Sequence, residues 1–176
     1  DVLGCEAARS WVSCTDLLDN SFDQTELLSE HSNIPYQALS DGAKLSTEKV
    51  KAGTYSLKWE KHNRYPTIST SYIPHNWTAC SAVELWVNSV ENTNEEIFML
   101  LKSDCDATKW YDYYVASFKT DFTGWKKISI PLSSFMTLNT PSGFEKIDKI
   151  MFATKMRGRN PNPDTILYLD SFSFIS

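Results

Sequence analysis

Residues 118–135 read FKTDFTGWKKISIPLSSF. Asp121-Phe122-Thr123-Gly124 reverses the chain between two extended runs, and Gly124 can take the positive φ that such a turn often demands. Beyond the turn, Ile128, Ile130 and Leu132 recur at period two and share one face, while Lys127 and Ser129 take the other. Trp125 is expected to anchor the start of this strand in the core. Pro131 has no N–H to give a ladder, so the strand lies at a sheet edge or ends there.

The same chemistry repeats outward in both directions. Runs rich in aromatic and β-branched residues occur at Tyr55–Glu60, Thr67–Ile73, Ala82–Asn88, Glu96–Lys102, Lys109–Phe118, Lys126–Leu132, Lys146–Lys155 and Ile166–Phe174, separated by turn residues. No segment carries an apolar stripe of helical period and length, and Leu17–Glu30 is the best candidate for a short helical turn. Many short strands with few helices predict an all-β protein, an antiparallel β-sandwich of jelly-roll type with two sheets over one core. The 176 residues suit one domain, which at this size buries roughly 70% of its unfolded surface. The expected organisation is an N-terminal segment, 1–17, tied by a disulfide, and a single jelly-roll domain, 18–176.

Lys and Arg number 17 against 22 Asp and Glu, a net charge of −5. With no basic run to track phosphates, nucleic acid is excluded as a partner. No apolar stretch approaches the roughly 20 residues of a membrane span. The opening DVLGCEAARS lacks a basic n-region and an apolar h-region, which reads as a chain whose signal peptide has been removed. Four cysteines and one Asn-x-Thr sequon, Asn76-Trp77-Thr78, point to a secreted, extracellular protein with Asn76 as a glycosylation site. The cysteines show no metal-type spacing. Reading Val83–Asn88 and Glu96–Lys102 as a hairpin joined by NSVENTNE sets Cys80 opposite Cys105, which predicts that bridge and leaves Cys5 for Cys14. The same register puts Leu85 against Leu100 and Val87 against Phe98 in the core. It turns Trp86 outward among Ile97, Met99 and Leu101, an apolar outer face of the kind that marks a binding site.

Catalysis finds little support. His31, His62 and His75 lie in no nucleophile or metal motif. Carboxylates are scattered, and the Trp110-Tyr111-Asp112-Tyr113-Tyr114 cluster has no Arg or His spaced to make a tyrosine a base. Binding is the other reading, and the ligand class, a sugar, is what the chain's family resemblance implies. A sugar ring stacks its C–H face on a flat aromatic, and its hydroxyls reach polar side chains around the edge. Trp86 is the expected platform, with Tyr111 or Tyr113 beside it, and Asn88, Lys155, Arg157 and Arg159 form the rim. The last two sit in the Gly- and Pro-containing loop Met156–Pro163, and an Arg fork suits sulfate or uronate.

Four blocks occur in order: Ala52-Gly53-Thr54-Tyr55-Ser56-Leu57-Lys58-Trp59, Val83-Glu84-Leu85-Trp86-Val87-Asn88, Asp121-Phe122-Thr123-Gly124-Trp125 with Ile130-Pro131-Leu132, and Leu167-Tyr168-Leu169-Asp170-Ser171-Phe172-Ser173-Phe174. From Leu18 to Phe174 the chain resembles the galactose-binding-like jelly rolls. Within them it looks most like the non-catalytic N-terminal domains of chondroitin-type polysaccharide lyases and related carbohydrate-binding modules. The resemblance implies a fold and a ligand class, not a reaction, since the lyases keep their catalytic residues in a separate helical domain. It also implies a structural calcium held by Asp23, carbonyls around Lys51–Gly53, and Asp170. The expected function is non-catalytic binding of a polysaccharide or glycan, neutral or acidic, with a catalytic domain of a larger enzyme as a further partner. The alternative is a structural domain whose apolar face packs against a lyase domain or another protein. A small polysaccharide lyase using Tyr111–Tyr114 ranks below both.

Overall fold

The structure, a computed structural model, describes residues 43–53, 55–71, 73–106, 111–156 and 158–175. The predicted segment 1–17, the helical turn at Leu17–Glu30, and the residues Cys5, Cys14, Asp23 and Arg157 lie outside them.

Ten strands follow one another: β1 Ala43–Ser46, β2 Ser56–Trp59, β3 Thr67–Thr70, β4 Ala82–Ser89, β5 Glu96–Lys102, β6 Tyr113–Lys119, β7 Gly124–Pro131, β8 Met136–Leu138, β9 Lys149–Ala153 and β10 Leu167–Ile175. Among the described residues the helical content is one 3₁₀ turn, Leu132–Ser134. The strands make two five-stranded sheets. Sheet A has the order β1-β2-β10-β4-β7 and sheet B the order β3-β9-β5-β6-β8. Every pairing is antiparallel. The predicted all-β sandwich is what the chain forms.

The core between the sheets is built by alternation. Leu57, Trp59, Val83, Leu85, Val87, Leu167 and Leu169 come from sheet A, and Ile97, Met99, Leu101, Ile150 and Phe152 from sheet B. Trp59 is fully buried, and its indole N–H donates to the Tyr65 carbonyl at 2.8 Å. Trp77 is equally buried and donates to the Pro74 carbonyl at 2.7 Å. Each ring therefore fills the interior without orphaning its one polar atom. The opening stretch behaves largely as read. Gly124 takes φ 85°, Ile128, Ile130 and Leu132 are buried, and β7, which carries Pro131, is an edge strand of sheet A.

Two expectations fail, both through register. Strands β4 and β5 are not a hairpin. They lie in different sheets, and the six residues between them carry the chain across the end of the sandwich. Ile97, Met99 and Leu101 consequently point into the core, and Phe98 and Leu100 point out. The Cys80–Cys105 bridge, which rested on that hairpin, is not formed, and Cys105 carries a thiol. Trp125 is the second correction. It pairs with Asn88 and is only half-buried. It lies three positions before Ile128, an odd offset, so a regular strand sets the two on opposite faces.

Candidate functional site

The outer face of sheet B is apolar where a simple sandwich would be polar. Phe98, Leu100, Val115 and Ala153 form a second buried cluster there, with Tyr113, Met151 and Met156 packed against it. The ladder registers arrange this face in three rows. The first runs Thr67, Ala153, Phe98, Ser117, and the second Ser69, Met151, Leu100, Val115, Met136. The third runs Lys149, Lys102, Tyr113, Leu138. At about 3.4 Å per residue and 4.8 Å between strands, the three rows span about 14 Å along the strands and about 19 Å across them. Met136 and Leu138, on the edge strand β8, are among the most exposed large apolar residues described.

Both ends of this face are built with care. At one end Asp112 is fully buried. Its carboxylate accepts the N–H of Thr140 at 2.9 Å and of Cys105 at 3.1 Å, and its carbonyl accepts the Ser103 N–H at 2.9 Å. That knot closes the β5–β6 loop on itself, ties it to the segment after β8, and holds Tyr111 in the left-handed region, φ 64°. The Asn139 side-chain amide donates to the Tyr111 carbonyl at 2.6 Å. A bulky residue held at positive φ costs about 1 kcal/mol or more and persists where its surroundings over-determine it. The result is a tyrosine displayed 59% exposed two residues from half-buried Tyr113. Burial raises the Tyr113 pKa above the ordinary phenol value, with Lys102 opposing and Asp104 and Tyr111 adding to the rise. The phenol therefore stays protonated and can both donate and accept.

At the other end, Glu95 is 3% exposed and accepts the Asn162 N–H at 2.7 Å and the Thr165 hydroxyl at 3.3 Å. Arg159 reaches Glu96 at 3.3 Å and lies 3.9 Å from Glu95. These contacts strap the loop after β9 beside the first row, with Lys155 exposed next to Met156.

Of the predicted sugar-contacting residues, Tyr111, Tyr113, Lys155 and Arg159 thus gather around sheet B. Trp86 and Asn88 do not. Both project from β4 on the opposite side of the molecule, the outer face of sheet A. There Asn88 is buried between Tyr168 and Trp125 in register, and Trp86 lies between Asp170 and Lys127. Sequence reading missed Phe98, Met151 and Met136 as lining. The signal for Phe98 was a β5 run, IFMLL, that is apolar on both faces, which hides the inward one.

Asp170 was expected to ligate calcium. It is fully buried. One oxygen accepts the N–H of Lys51 at 2.8 Å and of Ala52 at 3.2 Å, and the other accepts the N–H of Ser171 at 2.7 Å. The loop turns N–H donors towards the carboxylate where a cation needs carbonyl oxygens. Among the described residues no group of three His, Cys, Asp or Glu is placed to hold a metal. Asp23, the other carboxylate the resemblance implies, lies outside the described residues.

A two-sheet jelly roll with one open, aromatic-ended apolar face is the architecture of a carbohydrate-binding module. Residues 22–161 match the carbohydrate binding domain of family 11, and the chain belongs to that family. Solved structures agree on the fold. A family 11 module from Clostridium thermocellum, in complex with a beta-1,3-1,4-mixed-linked tetrasaccharide, is 22% identical with a TM-score of 0.54, over 78% of this chain and 85% of that one. The family 11 module of the cellulosomal cellulase Lic26A-Cel5E of the same organism gives 22% and 0.53, over 78% and 84%. The family 30 module of its cellulosomal cellulase Cel9D-Cel44B gives 12% and 0.59, over 78% and 83%. No curated protein matches in sequence. Among the described residues no helix is long and apolar enough to cross a membrane.

Proposed function

We propose that this carbohydrate-binding domain holds a polysaccharide chain along the outer face of sheet B, with Tyr111 and Tyr113 as stacking platforms and Arg159, Lys102 and Lys155 at the rim. The observation that carries this reading is the three-row apolar face ending at a tyrosine pair, one member of which is presented on a strained backbone. The floor removes C–H surface from water, and the charged side chains around it answer the hydroxyls. A mixed-linkage β-glucan, the ligand type of the Clostridium thermocellum neighbour, is the first candidate. The domain acts by adhesion, without chemistry of its own, beside a catalytic domain that cuts the polymer.

Tyr113→Ala is expected to weaken binding of soluble mixed-linkage β-glucan about tenfold in isothermal titration calorimetry, an anchor-sized loss. Tyr111→Ala should weaken it severalfold and leave the melting temperature unchanged. Wild-type affinity in both variants would remove the site from sheet B.

This reading places the chain outside the cell, where Cys5, Cys14 and Cys80 meet an oxidising environment. Asn76 is the expected glycan acceptor. It is exposed, and its side-chain oxygen accepts from the Thr78 hydroxyl at 2.7 Å and the Thr78 N–H at 3.1 Å.

A further inference from the structure

The outer face of sheet A differs in kind from that of sheet B. It is dented. The register between β10 and β4 shifts between Asp170 and Ser173, and Ser171 sits in the left-handed region at φ 53°. Such a bulge bends its strand and re-aims the side chains around it. Beside it opens a cavity of about 420 Å³ lined by Lys51, Glu84, Trp86, Lys127, Ser171 and Ser173.

Its charges are arranged. The Lys51 ammonium lies 4.0 Å from the centroid of the Trp86 ring, a cation–π contact that holds a flexible side chain in place. Across the cavity Lys127 pairs with Glu84 at 3.0 Å. Asp170 lies directly across the ladder from Trp86, but its carboxylate is turned to the backbone N–H groups of Lys51, Ala52 and Ser171. The charges that face the cavity are two ammoniums and one carboxylate.

We propose that this cavity is a second carbohydrate site, separate from the face on sheet B, and that it takes a uronic acid unit. The sugar carboxylate accepts from Lys51 and Lys127. Its hydroxyls donate to Glu84 and meet the hydroxyls of Ser171 and Ser173, and the Trp86 indole covers its C–H surface. A neutral hexose offers the two ammoniums only hydroxyl oxygens and leaves their charge uncompensated, and a simple anion leaves Glu84 and the serines unused. The mixed polar lining therefore selects a ring that carries both hydroxyls and a negative charge.

The test is a heteronuclear NMR titration of the full chain with sodium glucuronate, and in parallel with glucose and with sodium acetate. Glucuronate is expected to move the Trp86 indole N–H resonance saturably, with the larger backbone shifts at Lys51, Ser171 and Ser173. Lys51→Ala should weaken that response about fivefold or more, and Tyr113→Ala should leave it unchanged. A motionless Trp86 resonance overturns the proposal. So does acetate matching glucuronate, which means an adventitious ion only, and so does glucose matching it, which removes the role of charge. Tyr113→Ala separates the two faces, because it is expected to weaken glucan binding on sheet B about tenfold whether or not glucuronate binds on sheet A.

Discussion

Asp170→Ala is expected to lower the melting temperature by roughly 10 °C or more. The carboxylate is fully buried and accepts three backbone N–H groups, from Lys51, Ala52 and Ser171. Hydrogen bonds to a charged group contribute about 1.5–3 kcal/mol each, and a buried donor left without its acceptor costs about 1–3 kcal/mol. Three such donors bring the loss to about 4 kcal/mol even if water recovers some of them. For a domain of this size that is about 8–16 °C. Asp170→Asn keeps one carbonyl acceptor but places an amide among donors, so it should fall between wild type and Ala. Calcium addition and EDTA should leave the wild-type melting temperature where it is, because backbone N–H donors already occupy both carboxylate oxygens. A calcium-dependent rise that disappears in Asp170→Ala would show that a cation, not the loop backbone, is the native partner. Differential scanning calorimetry of the three proteins settles both points.

The contrast between the two sheets explains what could be read from the chain and what could not. Fold class was legible because period-two alternation in β7 and β10 is local, and so is the turn at Gly124. Strand β5 came out with its observed limits, Glu96–Lys102, for the same reason. What the alternation cannot say is which strand lies beside which. The linker NSVENTNE is polar and short, so it reads as a hairpin. It instead passes from one sheet to the other, and nothing in its residues distinguishes the two routes. That one misassignment inverted β5, moved the apolar outer face from Trp86 to Phe98 and Leu100, and created the Cys80–Cys105 bridge. Tyr113 and Arg159 lie around sheet B whatever the register of β5, because they were chosen by residue type and position along the chain. Asp170 was singled out correctly as a buried charge in need of compensation. The compensation was backbone N–H from 119 residues away in the chain, which no local pattern announces. The short strands β1 and β8, four and three residues long, went unread because they carry too few residues to show a period.

Stability is expected to fall by about 3 kcal/mol as the pH drops from about 6.5 to about 4, and one residue should account for it. His62 follows β2 and is completely buried. Its ring packs on Trp59 with centroids 4.3 Å apart. Nδ1 lies 3.3 Å from the Thr154 hydroxyl, and Nε2 is buried with no hydrogen-bond partner among the described residues. A protonated imidazole would carry a charge and a second N–H into that space with nothing to receive either. Burial accordingly pushes the His62 pKa down to about 4, against a smaller opposing contribution from the Trp59 backbone. In the unfolded chain the value returns to about 6.5. Between these limits the unfolded chain binds the extra proton, so stability rises with pH there. The contribution is complete above about 6.5 and is lost as the pH falls through the folded value. A shift of about 2.5 units at about 1.36 kcal/mol per unit gives the expected loss. His62→Phe keeps a ring against Trp59 and removes the titration. The Thr154 hydroxyl retains the Pro66 carbonyl, 3.4 Å away, as a partner. Urea unfolding of the two proteins from pH 7.5 to 4 should give curves that run parallel above about 6.5 and diverge below it, with wild type losing more. Parallel curves throughout would mean that His62 takes up its proton inside the fold at no cost. The site would feel this acid sensitivity late. Thr154 adjoins Lys155, at the root of the rim loop, and the loop is also pinned by Glu95 and Arg159. Glucan affinity should therefore hold until the sandwich itself opens.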